Sequence, residues 1–187
     1  MEGTYRLFGG EPDLFESFVA APGPAGWRYF GRVFARDSEL ELSTVDFVVD
    51  TEWRLVRYRE RHAAGTAVVI IPGTDGMEVI TQGDGDEKAV EIPGAEIVWS
   101  RSPCSLLVAE RRARALGTNA LRGVRIHVPD DPGTVFVSLN RPGHEQFKHP
   151  PGSQAEMIQV RVDDESIDAQ LAEDRPLSAD GWFALIT

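Results

Sequence analysis

Phe47-Val48-Val49-Asp50-Thr51-Glu52-Trp53-Arg54-Leu55-Val56-Arg57-Tyr58-Arg59-Glu60-Arg61 is the stretch on which the fold of this chain turns. At period 2, one face carries Phe47, Val49, Thr51, Trp53, Leu55, Arg57, Arg59 and Arg61. The other carries Val48, Asp50, Glu52, Arg54, Val56, Tyr58 and Glu60. Strands send alternate side chains to opposite faces, so the first face reads as apolar and then basic. Trp53, Val56, Arg57 and Glu60 also fall at helical spacing. The Val-Val pair, the threonine, the aromatics and the lack of a cap signal favour one long strand. Its basic end is either a solvated edge or a row of anion-pairing arginines at the mouth of a pocket.

The segments on either side read in the same way. Tyr5 to Phe18 places Leu14, Phe15 and Phe18 on one side of a short helix or an extended segment. Ala21 to Gly26 is a loop rich in proline and glycine, and Trp27 to Phe34 is a strand. Gly31 inside that strand marks a bulge or a close approach. After the central stretch, Thr66–Ile71, Gly76–Thr81, Lys88–Ile92 and Ala95–Ser100 are short strands separated by Pro-Gly or Gly-Asp turns. Their spacing predicts an antiparallel meander. Cys104 to Leu116 reads as the main helix, with an apolar side, a basic last turn and Gly117 at the C-cap position. Strands resume at Arg122–Val128, Thr134–Leu139, Ala155–Val162 and Gly181–Thr187, around a Pro/Gly/His loop at 140–153. The expected total is eight to ten strands and one main helix in a single domain spanning 1–187.

Composition narrows the function classes. A chain of 187 residues can bury a full core without disulfides or metals. A net charge of −11, from 30 acids against 19 bases, argues against nucleic acid or an anionic membrane as the main partner. No run approaches the ~20 apolar residues of a membrane-spanning helix. The start, Met1 to Arg6, lacks a basic segment followed by an apolar one, and Cys104 is the single cysteine. Both features fit a reducing, cytoplasmic setting.

Most familiar chemical signatures are missing. His144-Glu145 and His149 lack the spacing of a helical zinc motif. Asp84, Asp86 and Glu87 lack the twelve-residue calcium pattern and read as a hairpin turn. Gly73-Thr74-Asp75-Gly76 lacks the lysine of a phosphate loop. Neither a metal nor a cofactor is expected. Cys104 sits where a helix dipole would favour a thiolate, but without a His or Asp nearby in sequence it reads as a small buried apolar residue. The acids from Asp163 to Asp174 read as solvated surface. What remains is aromatic and cationic: Trp27, Tyr29, Trp53 and Trp99, with Arg54, Arg57 and Arg101. On a curved sheet these would line a concave face suited to an apolar ligand with a polar head.

The order of features resembles a glycolipid-binding family whose fold is related to the bacterial lipoprotein carriers. The resemblance covers roughly residues 1–120. It rests on Gly26-Trp27-Arg28 with Gly31, on Val45-Asp46-Phe47, Asp50, Trp53-Arg54 and Arg57, and on Pro93 to Ile97 with Ser102-Pro103. The family's Gly-Cys-x-Asp-x-Asp segment stands here as Gly94 to Trp99, without the cysteine and the aspartates. The resemblance implies a mainly β (α+β) fold, with a strongly curved antiparallel sheet forming an open half-barrel around the helix at about 104–116. It also implies a hydrophobic cavity.

Two functions of different classes follow. In the first, the chain binds an apolar or amphipathic small molecule, lipid-like or polyketide- or terpenoid-like, against Trp27, Tyr29, Trp53 and Trp99, with Arg54, Arg57 or Arg101 meeting its head. In the second, the same cavity serves a cofactor-independent cyclase, isomerase or hydratase of secondary metabolism, with Asp50, Glu52, Tyr58 or Glu96 as the acid/base group. A strongly shifted carboxylate inside the cavity would favour the second. A cavity filled by its own side chains would instead indicate an interaction module.

Overall fold

The computed structural model describes residues 1–8, 13–36, 40–83, 85–126, 132–141, 147–148 and 154–186. The chain is mainly β, with one helix among the described residues. Strand β1 (Glu2–Leu7) starts a meander that runs through β2 (Leu14–Gly23), β3 (Gly26–Ala35), β4 (Glu41–Val49), β5 (Leu55–His62), β6 (Ala67–Pro72), β7 (Gly76–Gly83) and β8 (Asp86–Pro93). Then come β9 (Ile97–Trp99) and helix α1 (Cys104–Leu116). A second set follows: β10 (Ala120–Arg125), β11 (Gly133–Asn140), β12 (Phe147–Lys148), β13 (Gln154–Val162), β14 (Glu165–Leu171), β15 (Pro176–Ala179) and β16 (Phe183–Leu185).

All lie in one open sheet. Its order is β8-β7-β6-β5-β4-β3-β2-β1-β16-β15-β14-β13-β11-β10-β9, with β12 paired to β13 off this path. The two sets join where β1 pairs with β16, through Tyr5↔Leu185 and Leu7↔Phe183. The end strand β8 is exposed at Asp86, Glu87, Lys88 and Glu91, charges that discourage further edge pairing.

The central stretch is not one strand. It is the β4–β5 hairpin, turned at 50–54. Asp50 Oδ1 accepts the backbone N–H groups of Glu52 (2.8 Å) and Arg54 (2.9 Å), and Trp53 sits in the left-handed region at φ 60°. The aspartate thus closes a side-chain-stapled reversal where alternation alone predicts continuation. The reversal and a register shift at Val48/Val49 also overturn the expected face. Phe47, Val49, Leu55 and Tyr58 are buried, whereas Arg57 and Arg61 are exposed. Arg57 does not meet the mouth of a pocket. It joins Arg28 on exposed sheet surface, where both pair with Asp46 (2.6 and 2.8 Å).

Other expectations are adjusted as well. Of the two forms open for Tyr5 to Phe18, the described parts, 5–7 and 14–18, take the extended one, and the sixteen strands among the described residues exceed the eight to ten expected. The acidic stretch contains strand β14, hairpinned to β13 through Asp163 at φ 51°. Strand β9 pairs with β10 in parallel, since α1 lies between them and a crossover is what permits parallel pairing. Much of the expected 140–153 loop, with His144, Glu145 and His149, lies outside the described residues, as do Asp84, Val128 and Thr187.

Helix α1 spans the expected residues and ends on Gly117 at φ 65°, whose N–H bonds back to the last turn. It differs from a one-sided amphipathic helix, because every residue from Cys104 to Glu110 is buried. Side chains at these successive positions point all round the axis, so its first two turns are enclosed. Strand β9 and the start of α1 return to the early strands. Ser102 Oγ donates to Glu16 on β2, and Arg112 reaches the Glu52 carbonyl at 3.4 Å. No described helix is long and apolar enough to cross a membrane.

Candidate functional site

A cavity of about 190 Å³ lies where β1–β5 meet the segment linking β9 to α1. Its apolar wall is Leu7, Leu14, Val33, Leu42, Val45 and Ile126. Its polar groups are Glu16, Ser43, Glu60, His62, Arg101 and Ser102. Glu16, Ser43 and Ser102 are buried, His62 and Glu60 are half-buried, and Arg101 is exposed at the rim.

Glu16 is the chemically unusual group. Leu14, Glu16, Phe18 and Ala20 share one face of β2, and that face turns inward, so a carboxylate lies among apolar side chains at 0% exposure. Its Oε1 accepts hydrogen bonds from Tyr29 Oη and Ser102 Oγ, each 2.6 Å long. Its Oε2 is buried and has no partner among the described protein groups. Burial first, and the nearby Glu60 charge last, push the carboxyl up to about 7, against the pull of the two hydrogen bonds.

Space for this group comes from Gly31 on β3. A β-carbon at Gly31 would lie 2.4 Å from Glu16 Oε1. The close approach expected of this glycine is therefore to the carboxyl group, not to a kink in the strand.

A second buried polar group adjoins it. Tyr58 Oη donates to Glu60 Oε2 at 2.6 Å, and His62 Nε2 lies 3.4 Å from Glu60 Oε1. Ser100 Oγ and Ser105 Oγ are 2.9 Å apart, and the Ser102 N–H points to Ser100 Oγ at 3.3 Å. Ser102 Oγ and Cys104 Sγ are 3.2 Å apart. Burial pushes the Cys104 thiol and the Tyr29 and Tyr58 phenols well above their usual ranges, so all three stay protonated. Cys104 is a buried thiol rather than a dipole-activated nucleophile.

The expected site residues separate into three places. Tyr29 and Tyr58 reach the cavity through Glu16 and Glu60, and Arg101 stands at its rim. Arg54 and Glu96 line a more open cleft of about 360 Å³ with Asp75 and Arg112, where Glu96 pairs with Arg112 at 3.1 Å. Asp50 is the turn staple, Glu52 pairs with Arg54 at 2.5 Å, and Arg57 faces away. None of the expected tryptophans lines either space. They belong to a continuous row of aromatic rings packed in the core, some stacked and some tilted or edge-on. Trp53 meets Trp27 (5.6 Å between centroids), Trp27 meets Tyr29, Tyr29 meets Phe18, and Phe18 meets Tyr5. From Tyr5 the row passes through Phe183 and Trp182 to Trp99.

Glu16, Glu60, His62 and Ser102 were absent from the expected site. The signal for Glu16 was an acid at an inward position of an alternating strand. Glu60 and His62 follow Tyr58 at the same period. Ser102 carried no local signal, because its contact with Glu16 spans 86 residues. Among the described residues, no group of His, Cys, Asp and Glu side chains is arranged to hold a metal ion. Comparison with known protein families, curated proteins and solved structures finds no match.

Proposed function

We propose that this chain binds a small amphipathic molecule in the cavity beside Glu16. The enclosed first turns of α1, and the return of β9 onto the early strands, support reading the sheet as a half-barrel wrapped partly around the helix. The loose glycolipid-binding resemblance points the same way. The observation that carries the proposal is a fully buried carboxyl group, with one oxygen unpartnered among the described protein groups, in the wall of a cavity that is half apolar and half polar. An unsatisfied buried polar atom costs about 1–3 kcal/mol, and a ligand that supplies its partner recovers that cost. The cavity lies below the ~300–1,000 Å³ typical of drug-sized ligands, so its occupant is compact or leaves part of itself outside.

Acid/base catalysis in the same cavity is the second reading. Glu16, with its carboxyl near 7, can give or take a proton at Oε2 while Tyr29 and Ser102 hold Oε1. It replaces the acids expected from sequence in that role.

Native mass spectrometry of the purified protein, followed by organic extraction, tests binding. The expected result is a bound compound at one per chain that is lost in Leu42→Trp, which fills the half-buried wall. A clean apo mass from chain purified without organic solvent counts against retention of a ligand and shifts the weight to turnover.

A further inference from the structure

We propose that the ligand of this cavity carries a primary ammonium or similar cationic nitrogen that docks on Glu16 Oε2. The inference rests on the binding reading above and names the chemistry of the head group.

The cavity's charges are unbalanced. Glu16 and Glu60 bring two carboxylates into its wall. Among the described lining residues the one arginine or lysine, Arg101, stands at the exposed rim. A monocationic head inside the cavity restores the balance at the point of greatest burial. Oxygen count leads to the same class. Glu16 Oε1 already accepts two hydrogen bonds, so once Glu16 is ionised the unmet need at Oε2 is for a donor. An ammonium has three donors and no acceptor, which meets that need. A carboxylate or phosphate head would instead face Glu16 and Glu60 as like charges. The apolar wall accepts the hydrocarbon remainder.

Docking of a cation ionises Glu16, so binding expels a proton wherever Glu16 is protonated in the empty cavity. The groups facing Glu16 are Tyr5, Tyr29, Cys104, Glu60, His62 and Arg101. Burial keeps the two tyrosines and the thiol protonated throughout.

Isothermal titration calorimetry with three probes of one shape tests the proposal: cyclohexylamine, cyclohexanol and cyclohexanecarboxylate. The amine should bind at least about tenfold more tightly than the alcohol, and the carboxylate weakest. In buffers of different ionisation enthalpy near pH 6, amine binding should release a proton, whereas alcohol binding should not. In Glu16→Gln the amine preference and the proton release should both vanish while the alcohol still binds. Should that variant fail to fold, proton release by the unaltered chain decides. Alcohol binding as tight as the amine, or carboxylate binding tightest, would overturn the ammonium head and leave the cavity reading standing. No binding by any probe at millimolar concentration would overturn both.

Discussion

Glu16 is held in place at the cost of folding stability. In the unfolded chain its carboxyl has the usual value of 4.5, and in the folded chain about 7. Between those values the folded state binds the extra proton, so Glu16's contribution is present in full below about pH 4.5 and is lost as pH rises through about 7. The separation corresponds to on the order of 3 kcal/mol for this fully buried group. Chemical denaturation at a series of pH values should therefore show the unaltered chain losing stability relative to Glu16→Gln across that window. Parallel stability curves for the two proteins would contradict it. Gly31 and Tyr29 share in the arrangement, one by leaving room and one by donating a hydrogen bond. Gly31 announces a close approach in the sequence, but not what approaches. Glu16 is harder to see. An acid in a strand is usually an outward residue, and only its parity with Leu14 and Phe18 marks it as inward.

Among the elements, the β4–β5 hairpin shows most plainly what alternation can and cannot reveal. Strand character was legible on both sides from the β-branched and aromatic residues, but as one strand, and burial follows period 2 only in β4; in β5 Leu55 and Tyr58, three residues apart, are both buried. The turn itself was not, because nothing in Asp50-Thr51-Glu52-Trp53-Arg54 is glycine or proline. A single aspartate carboxylate does the work that turn formers usually do, and Trp53, at a positive φ in this turn, packs against Trp27. Asp50→Ala should cost about 1 kcal/mol of folding stability by removing both side-chain bonds. Asp50→Asn, which keeps an acceptor oxygen, should recover most of it. Thermal melts of the two variants check the pair, and equal melting temperatures would show that the staple contributes nothing. Helix α1 was legible from composition and its glycine cap. Its burial was not, since enclosure depends on which strands return to it. Ser102, placed by sequence just before a helix, donates to Glu16, and the N-cap at Pro103 has no side-chain bond.

At the scale of the whole molecule, pairing of β1 with β16 unites two meanders into one open sheet. The segment between the meanders, β9 and α1, is carried back across β2 and β5. Long-range pairing of this kind leaves no local trace, which is why the mainly β class could be read from the chain but the closing contacts could not. The same return creates the cavity, because Arg101, Ser102 and Ile126 come from the second half of the molecule and the rest of the wall from the first. This junction holds an incompletely satisfied, buried carboxyl group, the one on which the proposed ligand docks. Carbon-13 NMR titration of the glutamate side-chain carboxyls tests it most directly. One resonance, missing from Glu16→Gln, should have a midpoint near pH 7 and be displaced downward when a cationic ligand binds. Glutamate carboxyls that all titrate near the ordinary value of about 4.3 would contradict it, since Glu16 would then be hydrated or fully paired.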